Sequence, residues 1–288
     1  MTSVTQNPPL SGCSKEVTAC SHGGTVADTA ARVIRNDWVN GQYKHLVLAA
    51  GSPASSSTAG QFFHLACPAT AEDTPFFRRP MSTYRADPQT GEVEFLYKVT
   101  GAGTRGLASL EAGDKLDMLG PLGIGFTLEP DWKHIVVLGR GVGLATLAPL
   151  SDLAAQQDIK VTAILSARDK ANLMSQDRFI KTGADIIEVT DEDDSSDVAN
   201  VERILRELIA QGRADAFFTC GSNRLMLLMQ KLAAEFNIDG QVAMEQQMAC
   251  GIGMCYCCVR AFREGEKIVS KRVCWDGPVF ELKAVTSW

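Results

Sequence analysis

The sequence predicts a multidomain protein: an antiparallel β-barrel, then a Rossmann-like α/β domain on a parallel sheet, then a small C-terminal unit built around cysteines. Three observations predict it. Short period-two apolar runs crowd residues 30–130, buried strands alternate with helical stretches over residues 131–240, and five of the nine cysteines fall between positions 250 and 274. A chain of 288 residues with 45% hydrophobic content is long and apolar enough to build two ordinary cores plus an appendage.

Residues 1–29 are rich in Ser, Thr, Gly and Pro without apolar period, which reads as a flexible N-terminal extension. Cys13, Cys20 and His22 lie there without a fourth ligand nearby, and no role is assigned to them. The alternating runs Tyr43–Leu48, Gln61–Ala66 and Val93–Val99, separated by turn residues, predict about six antiparallel strands ending near Gly120-Pro-Leu-Gly123. At His134 the texture changes to a buried strand, His134–Leu138, followed by the glycine loop Gly139-Arg-Gly-Val-Gly143 and a helix to Gln156. Strands at 161–165, 185–189 and 214–219 follow, with helices at 171–182, 200–211 and 223–236, the alternation of a doubly wound sheet. The acidic run Asp191-Glu-Asp-Asp194 between a strand and a helix reads as a solvated loop sooner than a divalent-metal site. Residues 241–288 hold too few apolar residues for an independent core, so bound metal is expected to supply much of their folding energy.

Several function classes are set aside by composition. A net charge of −6 with no Lys/Arg-rich run argues against a nucleic-acid surface. No stretch reaches the roughly 18 consecutive apolar residues of a membrane span, and the N-terminus has no basic segment leading into an apolar one. The expectation is a cytoplasmic protein with reduced thiols, because a chain of this size needs no disulfide framework.

The thiols carry the clearest chemistry. Cys250, Cys255, Cys258 and Cys274 are spaced C-x4-C-x2-C-x15-C. Structural zinc sites usually present two C-x2-C knuckles, whereas here three cysteines share one loop threaded by Gly251 and Gly253 and the fourth comes from afar, which favours a [2Fe-2S] cluster. The x2 spacing directs Cys255 and Cys258 to one centre, and Cys257 is read as pointing away and packing. In the second domain, Gly139, Gly141 and Gly143 follow a buried strand and precede a helix. That is the context in which backbone approaches a dinucleotide pyrophosphate, although Leu144 stands where the full G-x-G-x-x-G has its last glycine.

The segment Glu245–Val259, together with Arg272-Val-Cys-Trp-Asp-Gly-Pro-Val-Phe280, resembles the cluster domain of the electron-transfer subunit of class 1B dihydroorotate dehydrogenase. Plant-type ferredoxin domains share the first three spacings but place the fourth cysteine nearly twice as far along. Phe77-Arg-Arg-Pro-Met-Ser82 resembles the flavin motif of the ferredoxin-reductase superfamily, and Leu96-Tyr-Lys98 and Gly101-Ala-Gly-Thr104 lie where that family contacts FAD. The resemblance implies that Arg79, Pro80, Met81, Ser82, Leu96, Tyr97, Lys98, Gly103 and Thr104 surround FAD. Gly120-Pro-Leu-Gly123 resembles the loop that closes the barrel. Thr219-Cys-Gly-Ser-Asn223 resembles that superfamily's Cys-Gly-Pro turn, which implies Cys220 and Gly221 beside the nicotinamide; a buried apolar thiol is the other reading of Cys220. Met81 and Thr83, Thr146 and Ser222 depart from the family's usual residues. Arg168 in Ser166-Ala-Arg168 leaves NAD(H) and NADP(H) both open, with a lean to NAD(H).

The resemblance, which covers residues 31–288, implies an electron-transfer flavoprotein subunit. NAD(P)H gives a hydride to FAD, and single electrons pass through the [2Fe-2S] cluster to an FMN-containing dihydroorotate dehydrogenase catalytic subunit in a hetero-oligomer. A reductase for another electron acceptor, such as an oxygenase, and a redox-sensing module without turnover are the alternatives. No side chain is required as a strong acid or base, because such chemistry depends on positioning.

Overall fold

The computed structural model describes residues 25–286. Cys13, Cys20 and His22, to which no role is assigned, lie outside the described residues. Seven strands build the first sheet: β1 (Ala27–Trp38), β2 (Tyr43–Ala49), β3 (Phe62–Leu65), β4 (Arg79–Ser82), β5 (Arg85–Asp87), β6 (Glu92–Lys98) and β7 (Lys115–Leu122), with helix α1 (Ala102–Ala108) between the last two. Ala27, Asp28 and Thr29, within the stretch read as an extension, already belong to β1 and pair with β7. The strand order β4-β3-β7-β1-β2-β6-β5 leaves β4 and β5 as edges, so the sheet curls into a half-barrel. Its interior follows the period of two: Ala31 and Val33, Leu46 and Leu48, Phe63 and Leu65, Val93, Phe95 and Tyr97, and Leu116 and Met118 share one buried cluster. Tyr43 and Leu96, on the opposite face, pack instead with Leu144 and Ala145 of the next domain.

The second sheet is doubly wound. Its strands β8 (His134–Arg140), β9 (Lys160–Ala167), β10 (Asp185–Thr190), β11 (Ala216–Cys220) and β12 (Asp239–Ala243) are parallel. They are linked by helices α2 (Gly143–Gln156), α3 (Gln176–Lys181), α4 (Val198–Ala210) and α5 (Asn223–Glu235). The helix expected over 171–182 is split into a 3-10 turn, Lys170–Asn172, and α3. The break is at Ser175, whose left-handed φ of 64° cannot continue a right-handed helix. Helix α4 starts where Asp197 accepts the Ala199 amide, an N-cap that satisfies an end N–H group. β12 was not foreseen, because Asp239-Gly-Gln carries no apolar run, and it crosses position 240, where the sequence divides the second unit from the third.

The C-terminal unit is a hairpin, β13 (Val259–Glu264) with β14 (Lys267–Arg272), then a short helix α6 (Val273–Asp276) and strand β15 (Val279–Glu281). β15 pairs antiparallel with β12, so the order of the second sheet is β10-β9-β8-β11-β12-β15. The unit also shares its neighbour's core, with Cys258, Phe262, Val273, Cys274, Phe280, Leu282 and Val285 in one buried cluster with Val242, Leu225 and Met229. The expectation that metal supplies much of this unit's folding energy is revised accordingly: part of it comes from burial against the parallel-sheet domain. The half-barrel is fastened to the same unit. Gly123 has φ of 77°, and a Cβ there would lie 2.5 Å from Pro278 Cδ and 2.6 Å from the Gly277 carbonyl oxygen, while the Ile124 amide donates to that oxygen at 2.6 Å. Only glycine allows that approach.

Candidate functional site

The cysteine loop folds around its own sulfur atoms. The Cys255 amide donates to Cys250 Sγ at 3.4 Å, the Gly253 amide to Cys274 Sγ at 3.3 Å, and the Cys274 amide to Cys258 Sγ at 3.4 Å. Inward N–H groups of this kind stabilise thiolate and cluster sulfur. The left-handed turns they need occur at Gly251 (φ 72°), Gly253 (φ 76°) and, without a glycine, Tyr256 (φ 58°). A Cβ on Gly253 would lie 2.9 Å from the Trp275 ring. Arg272 clamps the far side, paired with Asp276 at 3.1 Å and donating to the Gly253 carbonyl at 3.2 Å.

Hydrogen bonds thus associate Cys250 with Cys255 and Cys258 with Cys274. Among the described residues no three His, Cys, Asp or Glu side chains converge on a single point. Four thiolates associated two by two, with backbone amides turned toward their sulfur atoms, fit two irons each taking two thiolates, the donor set of a [2Fe-2S] cluster. Burial opposes ionisation of Cys250, yet the amides of Ile252, Cys255 and Met254 bring its thiol down to about 7. Burial, and then the neighbouring Cys258, push the Cys274 thiol up to about 12, so binding of a metal there would release a proton. Cys258 and Cys274 are buried, while Cys257 is exposed. That corrects the expectation that Cys257 packs: it is exposed, as Cys255 is, but of these two only Cys255 has an amide bonded to another cysteine's sulfur among the described residues.

Beside the loop is a cavity of about 390 Å³ bordered by all three units. β4 supplies Pro80, Met81 and Ser82; β6 supplies Leu96, Tyr97 and Lys98; α1 supplies Thr104; α2 supplies Ala145 and Thr146; and the C-terminal segment supplies Glu245, Met248 and Pro278. Seven of the nine residues expected around FAD therefore line one space. The other two pack on each other, since a Cβ on Gly103 would lie 2.8 Å from Arg79 Cγ and Nε. Arg79 donates to the carbonyl oxygens of Phe77 and Arg78 and has no carboxylate partner among the described residues, leaving its charge for an anion. Two expected residues have local duties as well. The Thr104 hydroxyl accepts from the Thr100 and Gly101 amides at 2.8 and 3.0 Å, which caps α1. Tyr97 buries its ring in the half-barrel and donates to Asn36 Oδ1 at 3.0 Å. A mostly apolar space, with the guanidinium of the residue before Pro80 not paired to a carboxylate, fits a flavin with its pyrophosphate.

Two smaller cavities adjoin it. One of about 290 Å³ is bordered by Tyr43, Lys98, Arg140, Gly141, Arg168, Gly221 and Glu245, and one of about 190 Å³ by Cys220, Gly221, Ser222, Asn223, Met226 and Glu245. Gly141 (φ 56°) and Gly221 (φ 93°) turn the backbone toward these spaces. Gly139 and Gly143 do not line them. A Cβ on Gly143 would lie 2.5 Å from the Cys220 carbonyl oxygen, and one on Gly139 would meet Leu144 and Leu147, so these two glycines let α2 and β11 close on β8. Cys220 is 3% exposed; burial raises its thiol, opposed by a hydrogen bond with Thr146, one of the departures from the family's residues. The acidic run is an exposed loop, as expected, and its first carboxylate is paired. Asp191 accepts from Arg140 at 2.5 Å and from Arg224 at 3.3 Å, and hydrogen bonds from Arg140 and Ser196 hold its carboxyl at about 2. A larger cavity of about 590 Å³, at Arg35, Asp152 and Arg178, takes in only Leu96 of the expected residues.

Residues 245–286 match the family model for the iron-sulfur cluster binding domain of dihydroorotate dehydrogenase B. The chain is 32% identical over 227 residues to the dihydroorotate dehydrogenase B (NAD(+)), electron transfer subunit of Desulforamulus reducens, covering 79% of this chain and 86% of that protein. It is 33% identical over 231 residues to the subunit of the same name from Enterococcus faecalis, covering 78% and 86%. The chain belongs to this family of electron transfer subunits. Among solved structures, an NADH-dependent reduced ferredoxin-NADP oxidoreductase superposes with a TM-score of 0.74 at 24% identity over 91% of each chain. The ferredoxin reductase of carbazole 1,9a-dioxygenase gives 0.60 at 20% identity over 73% of this chain and 66% of that one. Both share the ferredoxin-reductase fold.

Within this electron transfer subunit, sequence motifs missed the residues contributed from other units. Glu245 borders all three cavities, and burial raises its carboxyl. Tyr43, Phe62, Met244 and Met248 also line cavities. Glu245 and Met248 lie in the segment that resembles the cluster domain but had no role assigned, and Tyr43, Phe62 and Met244 sit in no recurring short pattern, so the packing of the units is what brings them to the site.

Proposed function

We propose that this chain carries electrons from NADH through FAD and a [2Fe-2S] cluster to the catalytic subunit of a dihydroorotate dehydrogenase B. The observation that carries the reading is the shared cavity, one space bordered by the flavin strands, by the nucleotide helix α2 and by the segment that leads into Cys250. When bound, NADH would supply a hydride, and FAD with a [2Fe-2S] cluster would supply the conversion of that electron pair into single-electron transfer. Arg79 would hold the FAD pyrophosphate with its guanidinium fork, and Pro80, Met81, Ser82 and Leu96, which line the cavity, would hold the flavin ring. Gly141 and the N-terminus of α2 would receive the dinucleotide pyrophosphate, and Gly221, Cys220 and Thr146, which line the adjoining cavities, would hold the nicotinamide. Cys250, Cys255, Cys258 and Cys274 hold the cluster, and Arg272 keeps their loop closed. Ile252, Met254 and Tyr256 expose apolar surface beside it, 75% of Met254 and 65% of Tyr256, which suits a protein acceptor. Among the described residues no helix is long and apolar enough to cross a membrane, and a cytoplasmic setting with reduced thiols is part of this reading.

Anaerobic addition of NADH to the purified chain tests it. The flavin absorbance bleaches, the [2Fe-2S] EPR signal grows, and added catalytic subunit with orotate restores the flavin colour. A protein that holds both centres but does not bleach with NADH overturns the reading.

A further inference from the structure

We propose that His64 is a positioning residue for the iron–sulfur centre, its Nε2–H donating a hydrogen bond to sulfur on the Cys250 side of the loop and raising the centre's reduction potential. The inference rests on the cluster reading above. His64 lies on β3, opposite Pro80 of the flavin strand β4 and Leu119 of β7. It is 1% exposed, and its Nε2 is buried without a hydrogen-bond partner. A buried imidazole nitrogen left in that condition is costly, and an apolar side chain would fill the same space without the cost.

The orphaned atom lies against the cysteine loop. A Cβ on Gly251 would lie 2.8 Å from His64 Nε2, 2.9 Å from Cδ2 and 3.0 Å from Cε1, so this edge of the ring rests on the residue that follows Cys250. On the other side, Phe62 shares the same strand face, its ring 5.9 Å from the imidazole, and lines the 390 Å³ cavity. The imidazole therefore stands between the flavin cavity and the cysteine loop. Burial, with Arg78 adding to it, lowers the imidazole to about 4, so the ring is neutral at pH 7 and one of its nitrogens carries a single proton. A proton on Nε2 needs an acceptor, and sulfur held by the adjacent loop supplies one. Hydrogen bonds donated to cluster sulfur favour the reduced, more negative form, which raises the potential.

The experiment is a redox titration of the cluster, read by EPR, in wild-type, His64→Leu and His64→Gln proteins with FAD content measured in each. The expected result is a more negative midpoint in His64→Leu, a partial return in His64→Gln, and unchanged FAD. In addition, reduced wild-type protein labelled with ¹⁵N-histidine shows a nitrogen coupling in pulsed EPR that is absent from labelled His64→Gln. An unchanged midpoint in His64→Leu overturns the inference, as does the absence of a histidine coupling in wild type. Should His64→Leu assemble no cluster, the labelled wild-type spectrum decides alone. A wild-type protein with no [2Fe-2S] signal at all is a different result, because it removes the cluster reading itself.

Discussion

At the scale of single residues the site separates neighbours that are chemically alike. Cys257 and Cys258 are adjacent thiols, but Cys258 is 2% exposed and faces Cys274 while Cys257 faces solvent. Cys258→Ser is expected to abolish the [2Fe-2S] EPR signal and Cys257→Ser to retain it, measured with iron content after anaerobic purification; the reverse outcome would reassign the ligand. Glu94 offers a test of acid stability. Burial opposes its ionisation, but hydrogen bonds from His45 at 2.7 Å and Arg85 at 2.9 Å outweigh burial and hold its carboxyl at about 2, below the ordinary 4.5. A depressed carboxyl contributes stability above pH 4.5 that is lost as pH falls through 2. Wild type is therefore expected to exceed Glu94→Gln by on the order of 3 kcal/mol at pH 7, with the gap closing toward pH 2. Urea midpoints across that range check it, and a gap independent of pH would contradict it. Much of the site was legible at this scale because glycine, cysteine and Arg-Pro-x-Ser spacings are local. Glu245 and His64 were not, since what marks them is a neighbour distant in sequence.

At the scale of elements, the strands and helices with strong apolar period were legible from sequence, and two kinds of element were not. Ser175 broke an expected helix by adopting a left-handed conformation that no pattern of polarity encodes. β12 and β15 escaped because their residues become strand through pairing with each other and with β11. β15 is held by Phe280, whose ring lies 4.2 Å from that of Phe262 in the hairpin. Phe280→Ala is expected to cost about 3–5 kcal/mol by leaving a cavity at this junction. Thermal melts monitored at the flavin and at the cluster would show the cluster lost first. Coincident losses would mean that the C-terminal unit has no separate weak point.

At the scale of the whole molecule, the three expected units were each present, but their independence was not readable from composition. The C-terminal unit shares a core with the parallel-sheet domain, and α5 reinforces the union through Gln230, which donates to the Leu282 and Val285 carbonyls at 2.8 and 2.7 Å. Chelating the iron is accordingly expected to open only the loop around 248–258, leaving far-UV circular dichroism and FAD binding in place. Limited proteolysis would locate the first cuts there, and global unfolding on iron removal would contradict the shared core. Strand β15 also governs how such a protein can be rearranged by recombination. A chimera that inherited only residues 244–288 would carry a sheet edge with nothing to lie against, and the parent left behind would bare the backbone of β12 to any passing strand. The cluster is thus heritable only together with the nucleotide domain whose sheet it completes.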